Sequence, residues 1–160
     1  MSFDYPKDVR FRCIKCGICC RNTKERIRHI LLQDSDVERI AVTARKSVEE
    51  FAKEIAGHEP YVYELRKTEE QGKCVFLEDE QCTIYSARPL ICRFYPFELR
   101  IARNGRREFL YTTECPGIGK GKKLTGNYFR KLLRQLEVQG SLQEEIKEKR
   151  KVSLLRSRGV

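Results

Sequence analysis

The sequence predicts a single small domain of the α+β class, and three observations support this. The chain has 160 residues, of which 40% are hydrophobic and 35% charged, so it can form one core of ordinary size. A hairpin signal at Asn104-Gly105 and an amphipathic run over 128–136 place strands before a C-terminal helix. The third observation is a set of eight cysteines, which in a reducing compartment favours bound metal over disulfides. We therefore expect residues 1–160 to form one metal-stapled domain with a short antiparallel hairpin and C-terminal helices.

Local signals predict the elements of the first half of the chain. The segment 1–22 lacks a regular pattern and is expected to be irregular. The sequences at 35–38 and 47–50 both match the capping box, in which Ser and Glu satisfy each other's free backbone donors. They predict helices over about 36–45 and 48–56. Alternating or short apolar runs predict strands at 30–32 and 61–66.

The second half begins with a predicted hairpin and ends in helices. Residues 98–103 and 107–113 flank Asn104-Gly105, for which we expect a type I′ turn with positive φ at both central residues. The glycine- and lysine-rich stretch 117–126 is expected to be a solvated loop, with anion binding as the alternative. A C-terminal helical extension is predicted over about 125–150, interrupted at Gly140.

The net charge of +10 is distributed unevenly along the chain. Residues 1–30 and 81–160 are basic, 31–80 are acidic, and every cysteine except Cys74 lies in a basic segment. Basic surroundings stabilise thiolates and an anionic thiolate–metal site. They also suit an anionic partner such as nucleic acid. Because the basic residues are interleaved with the cysteines, we favour the first interpretation.

The sequence also indicates where the protein resides. No stretch approaches the length of an apolar membrane span, and the N-terminal residues are charged rather than apolar. We therefore expect a cytoplasmic protein that makes no membrane contact.

The first cysteine group is Cys13-Ile-Lys-Cys16-Gly-Ile-Cys19-Cys20. Three cysteines at this double spacing are similar to the successive ligands of a bacterial ferredoxin cluster, whose fourth ligand is a remote cysteine followed by proline. Cys115-Pro116 has that form. Adjacent cysteines rarely chelate one ion comfortably, so we expect Cys20 to leave the backbone in another direction and to serve a second centre.

The remaining cysteines complete a set of eight thiolates, which divides naturally into two sets of four. Zinc and a [4Fe–4S] cluster each take four, so the spacing does not choose between them. The acidic stretch 78–81 is expected to be an exposed turn, so we expect the segments around Cys74 and Cys82 to form two short arms that bring these cysteines together. Our expected first centre contains Cys13, Cys16, Cys19 and Cys115. The expected co-ligands of Cys20 in the second centre are among Cys74, Cys82 and Cys92.

The motifs of the chain over about residues 11–120 resemble those of the CxxCxxCC family, also described as YkgJ-type cysteine-cluster proteins or zinc- or iron-chelating domains. The motifs that carry the resemblance are the CxxCxxCC run, Cys74-Val-Phe-Leu, Cys82-Thr-Ile-Tyr85, Arg88-Pro89-Leu-Ile-Cys92-Arg93-Phe-Tyr-Pro96-Phe97 and Cys115-Pro116-Gly117. The resemblance implies that the eight cysteines bind an iron–sulfur cluster or zinc. A related domain occurs in a flagellin lysine methylase, but the resemblance indicates no substrate for this chain.

The sequence therefore predicts a metal-binding protein. Our leading hypothesis is iron–sulfur binding, with a [4Fe–4S] cluster, in electron transfer or in an enzyme that modifies a macromolecule, and with a protein or redox partner. The alternative is a zinc-binding structural or interaction module that contacts nucleic acid through its basic ends. No Ser–His–Asp order, catalytic carboxylate pair or H-E-x-x-H motif is visible, so the sequence identifies no catalytic residue.

Overall fold

The structure is a computed structural model that describes residues 2–157. It combines helices with several small sheets, which confirms the predicted α+β class. The helices within the described residues are α1 (Asp34–Ala44), α2 (Val48–Phe51), α3 (Leu90–Phe94) and α4 (Gly126–Ser157), with short 3-10 helices at Ile18–Cys20 and Tyr85–Ala87. None of these helices combines the length with the apolar character that crossing a membrane requires.

The strands are short and form four small sheets. Their bounds are β1 (Phe3–Asp4), β2 (Arg10–Phe11), β3 (Leu31–Leu32), β4 (Ala52–Glu54), β5 (Tyr63–Leu65), β6 (Leu77–Glu78), β7 (Gln81–Cys82), β8 (Phe97–Ile101), β9 (Arg107–Tyr111) and β10 (Ile118–Lys123). The sheet orders are β1-β9-β8, β3-β5-β4, β6-β7 and β10-β2. All pairings in these sheets are antiparallel except that of β1 with β9.

Two separate hydrophobic clusters form the interior. The first core lies between α1, α2 and the β3-β5-β4 sheet, and it includes three cysteines; its buried members are Cys20, Ile30, Leu32, Val37, Ile40, Phe51, Ala52, Leu65, Cys74, Phe76, Ile84, Ala87 and Cys92. The second core lies between α3, α4 and the β8-β9 hairpin; its buried members are Val9, Leu90, Phe94, Phe97, Phe109, Phe129, Leu132 and Leu133. Aromatic rings dominate the second core, where the rings of Phe109 and Phe129 lie 5.0 Å apart.

The helix predictions for the first half are correct in type and wrong in bounds. At the start of α1 the N-cap residue is Gln33, and its backbone N–H donates to the carboxylate of Asp36. The capping box therefore begins two residues before the predicted N-cap, Ser35. At α2 the predicted contact is present, because the Ser47 backbone N–H donates to Glu50 at 2.7 Å. The helix ends at Phe51 because the next three residues pair with β5.

The second half confirms the hairpin and corrects three details. β8 and β9 pair as predicted, but only Gly105 of the turn has a positive φ, at 77°, so the turn is not type I′. The stretch expected to be a solvated loop contains β10, because it pairs with β2. Helix α4 runs through Gly140 without interruption and extends to Ser157. A single helical glycine costs only about 1 kcal/mol, which does not end a long helix.

The buried carboxylate of Asp36 connects the two cores. Its side chain is 0% exposed and accepts four hydrogen bonds. Oδ1 accepts from the Leu90 backbone N–H at 3.1 Å and from Arg39 at 2.7 Å. Oδ2 accepts from the Gln33 backbone N–H at 3.1 Å and from the Gln139 side chain at 2.8 Å. One carboxylate thus holds together α1, the start of α3 and the middle of α4.

We predict that Asp36→Ala lowers the free energy of unfolding by about 3 kcal/mol, because several buried donors lose their acceptor. Urea denaturation followed by circular dichroism measures the change. The matched control is Glu38→Ala, which removes an exposed carboxylate from the same helix. Equal denaturation midpoints for the two variants would show that Asp36 does not have this role.

Candidate metal centre

All eight cysteines line one cavity of about 370 Å³. They reach it from four parts of the chain: the N-terminal segment, the arms around β6 and β7, helix α3, and the loop after β9. The lining cysteines are Cys13, Cys16, Cys19, Cys20, Cys74, Cys82, Cys92 and Cys115. The structure therefore brings together every cysteine that the sequence nominates as a ligand. All eight are free thiols, and none forms a disulfide.

A tight turn at Gly17 sets the direction of the N-terminal cysteines. Gly17 has φ 71° and ψ 3° and precedes the 3-10 helix that carries Cys19 and Cys20. The Cys20 backbone N–H donates to the Gly17 carbonyl at 3.0 Å. The turn requires a left-handed residue, and a Cβ there would lie 3.0 Å from Arg21. The backbone angle thus favours glycine, and a larger residue would also displace the flexible end of the Arg21 side chain.

The second group of cysteines is positioned by β6 and β7. Leu77 pairs with Cys82 across this small hairpin, and the two arms approach each other as predicted. The Cys74 backbone N–H donates to the Cys20 carbonyl at 2.6 Å, which ties this hairpin to the CxxCxxCC run. The Phe76 backbone N–H lies 3.4 Å from the Cys74 sulfur and donates to it. Backbone donors of this kind stabilise a thiolate.

The positions of the sulfurs correct one sequence-based prediction. Cys20 was expected to leave the backbone away from Cys19, but their sulfurs are 3.8 Å apart. Hydrogen bonding to Cys19 and then to Cys82 raises the pKa of Cys20, and burial and the charges of Cys19 and Cys74 raise it further. The expectation of different directions is therefore wrong. Both residues lie in the 3-10 helix Ile18–Cys20, and both line the same cavity.

The cysteines fall into two subsets within the cavity. Burial is the main cause that raises the pKa of Cys115, and the charges of Cys16 and Cys13 raise it further. These three thiols therefore lie near one another. We call them the outer subset. The inner subset comprises the five cysteines that lie in or against the first core: Cys19, Cys20, Cys74, Cys82 and Cys92.

The inner thiols have strongly altered acidities. The Cys20 thiol lowers the pKa of Cys19 to about 6 and that of Cys82 to about 7 by hydrogen bonding to both, and burial opposes each shift. Burial raises the pKa of Cys74 to about 12 and also raises that of Cys92. Buried thiolates repel one another, so these five sulfurs ionise together only with a cation among them.

Arginines lie beside the inner subset. The charges of Arg28 and Arg88 both lower the pKa of Cys19. Arg88 also lines the cavity, and its guanidinium lies 3.7 Å from the centre of the Tyr85 ring. Arg93 lines the cavity as well, and it donates to Gln135 and Gln139 of α4 at 3.3 and 3.2 Å, which helps to hold that helix. Sequence reasoning missed Arg28, because nothing distinguishes it from other arginines of the basic N-terminal segment.

The donor chemistry of the cavity fits a thiophilic metal. Neither histidine lines it, and His29 pairs instead with Glu64 at 2.7 Å. Among the described residues, no three Cys, His, Asp or Glu side chains already stand as close together as a single-ion site requires. The sulfurs thus surround a space rather than one point. That arrangement suits a polynuclear cluster, or an ion whose binding draws the thiolates together.

The fold and this cavity define a small α+β metal-binding protein. The family model named CxxCxxCC, described as a putative zinc- or iron-chelating domain, matches residues 12–117. The chain belongs to this family, as its motifs predict. The matched region includes all eight cysteines and ends before α4.

Two relatives are uncharacterized proteins of Methanocaldococcus jannaschii. One is 31% identical over 139 residues, which cover 81% of this chain and 71% of the relative. The other is 30% identical over 126 residues, which cover 72% of this chain and 40% of that longer protein. No solved structure matches the chain.

We predict that Gly17→Ala weakens metal affinity, because a left-handed alanine costs about 1–2 kcal/mol and displaces Arg21 beside the CxxCxxCC run. Competition with a chromogenic chelator measures the affinity. Gly57→Ala is the matched control: its φ is 78°, it has no neighbour within 4 Å, and it does not line the cavity. The account fails if the two variants bind metal equally well.

We also predict that metal binding releases protons and strengthens as the pH rises. The raised pKa values of Cys74 and Cys92 keep these thiols protonated near neutral pH, whereas the metal binds thiolates. Calorimetric titrations in buffers of different ionisation enthalpy count the protons released. A binding enthalpy that does not depend on the buffer would contradict the prediction.

Proposed function

We propose that this protein binds iron–sulfur clusters through its eight cysteines. The observation that carries the proposal is the convergence of all eight thiols on one cavity that contains no histidine. Cysteine thiolates are the usual ligands of such clusters, and a [4Fe–4S] cluster takes four of them. The arginines beside the inner subset support the proposal further, because they offset the negative charge of a thiolate-ligated cluster.

We assign two metal centres to the cavity. The outer subset supplies Cys13, Cys16 and Cys115 to one centre, and the inner subset supplies the other. The inner subset contains one thiol more than the four that a centre requires. Cys19 is the best candidate to complete the outer centre, because it follows Cys16 by three residues and is only partly buried. This keeps the sequence-based membership of both centres, although Cys19 and Cys20 lie side by side.

Two roles follow from a cluster at this place. A bound cluster supplies one-electron chemistry, which suits electron transfer or an enzyme that modifies a macromolecule. Cys13 is exposed, so the outer centre is accessible to a protein or redox partner. We favour such a partner in the cytoplasm over nucleic acid, because several basic side chains face the thiols or pair with carboxylates rather than forming one continuous strip.

Zinc binding is the second candidate, and one distance favours it. Four sulfurs bonded tetrahedrally to zinc at about 2.3 Å lie about 3.8 Å apart. The sulfurs of Cys19 and Cys20 are separated by 3.8 Å, which matches one edge of such a site. A zinc protein would use the cavity as a structural centre, with a role in binding other macromolecules.

Metal analysis of anaerobically purified protein distinguishes the two candidates. We predict two metal centres per chain, with iron and acid-labile sulfide in equal amounts and a visible absorption band that bleaches on reduction. Cys115→Ser should remove the signal of one centre, and Cys82→Ser that of the other. A colourless protein with one zinc ion and four titratable thiols would contradict both the cluster and the two-centre assignment.

A further inference from the structure

We propose that a second cavity, next to the cysteine cavity, binds a small organic anion with a flat apolar body. This cavity has a volume of about 1000 Å³ and lies between the segment 26–29, helix α3 and the β8-β9 hairpin. Its size is at the upper end of the range of about 300–1000 Å³ that small-molecule sites occupy. The inference is independent of which metal the cysteines hold. We call this cavity the anion cleft.

Aromatic and aliphatic side chains form the walls of the anion cleft. Phe94 and Tyr95 come from the end of α3, and Leu110 and Tyr111 come from β9. Leu110 is 37% exposed and Tyr111 is 41% exposed, although both are large apolar side chains. Apolar side chains exposed around a concave surface indicate a ligand with an apolar face. The aromatic rings among the lining residues favour a flat ligand, because aromatic rings stack on planar groups.

Two arginines supply the positive charge of the anion cleft, which is also lined by His29 and by one exposed carboxylate, that of Glu98. Arg26 and Arg28 line it, and within the described part of the chain neither forms an ion pair with a carboxylate. The guanidinium of Arg28 lies 4.5 Å from the centre of the Tyr95 ring, which fixes its orientation. Its Nε is buried and has no hydrogen-bond partner. A guanidinium that pairs with no carboxylate and lines an open cavity favours an anionic ligand.

Tyr95 lies between the anion cleft and the cysteine cavity. Its side chain lines both cavities, so one ring separates them. Arg28 stacks on that ring and also acts electrostatically on Cys19. A bound anion would thus lie next to the metal centre, and Arg28 would act on both the anion and the centre. This placement suits a substrate or an effector of the centre.

The test measures binding to the metal-loaded full chain by isothermal titration calorimetry with three probes. Phenyl phosphate has both required features, inorganic phosphate has only the charge, and benzyl alcohol has only the ring. We expect phenyl phosphate to bind about tenfold or more tightly than either of the others, because charge-assisted hydrogen bonds and apolar burial both contribute. Equal affinity for phenyl phosphate and inorganic phosphate, or for phenyl phosphate and benzyl alcohol, would overturn the proposal.

Two variants and a matched control locate the binding. Arg28→Gln and Arg26→Gln should each weaken phenyl phosphate binding, about tenfold or more for Arg28→Gln, and leave benzyl alcohol binding unchanged. Arg103→Gln removes the same charge at an exposed turn residue outside the cleft and should have no effect. Metal content measured on the same samples separates a failed cleft from a lost metal centre. If both cleft variants bind phenyl phosphate as the control does, the cleft is not the binding site.

Discussion

Buried thiols repel one another once they ionise, and this constraint shapes the molecule around its cysteines. The inner subset lies in or against the first core, where Cys20, Cys74 and Cys92 are buried among aliphatic and aromatic side chains. The outer subset lies towards the second core, because Phe11 and Tyr128 line the same cavity and pack against that core. A metal that binds both subsets therefore joins the two cores, and its binding free energy contributes directly to folding. Without metal, burial raises the pKa of Cys74 and Cys92 and keeps these two thiols protonated.

The hydrogen bonds of the buried Asp36 make a second connection between the cores. This carboxylate joins α1 to the backbone of Leu90 and to Gln139, while Arg93 joins α3 to the same stretch of α4. Helix α4 lies beyond the family match, yet Phe129 is fully buried in the second core. The helix is thus part of the folded unit that positions the cysteines. The metal centre and the polar contacts have different chemistry, so they respond to different perturbations.

The sequence predicted those features that depend on neighbouring residues. The Asn104-Gly105 hairpin and the Ser47 cap both follow from local backbone chemistry. Features that depend on distant partners were missed. Strand β10 forms because β2 pairs with it. The sequence of the first turn of α1 does not indicate that Asp36 accepts hydrogen bonds from α3 and α4. The cysteines were identified as one set from their spacing. The side-by-side placement of Cys19 and Cys20 was not, because it depends on a short 3-10 helix that spacing alone does not reveal.

Hydrogen exchange before and after metal removal tests most directly the claim that the metal organises the fold. Chelation should raise amide exchange in β4 and β5, because these strands pack on the first core with its buried cysteines. The paired residues of β8 and β9 should remain more protected, because the aromatic second core contains no cysteine. Exchange that stays the same throughout the chain after complete metal removal would contradict the account. So would a loss of protection confined to the β8-β9 hairpin.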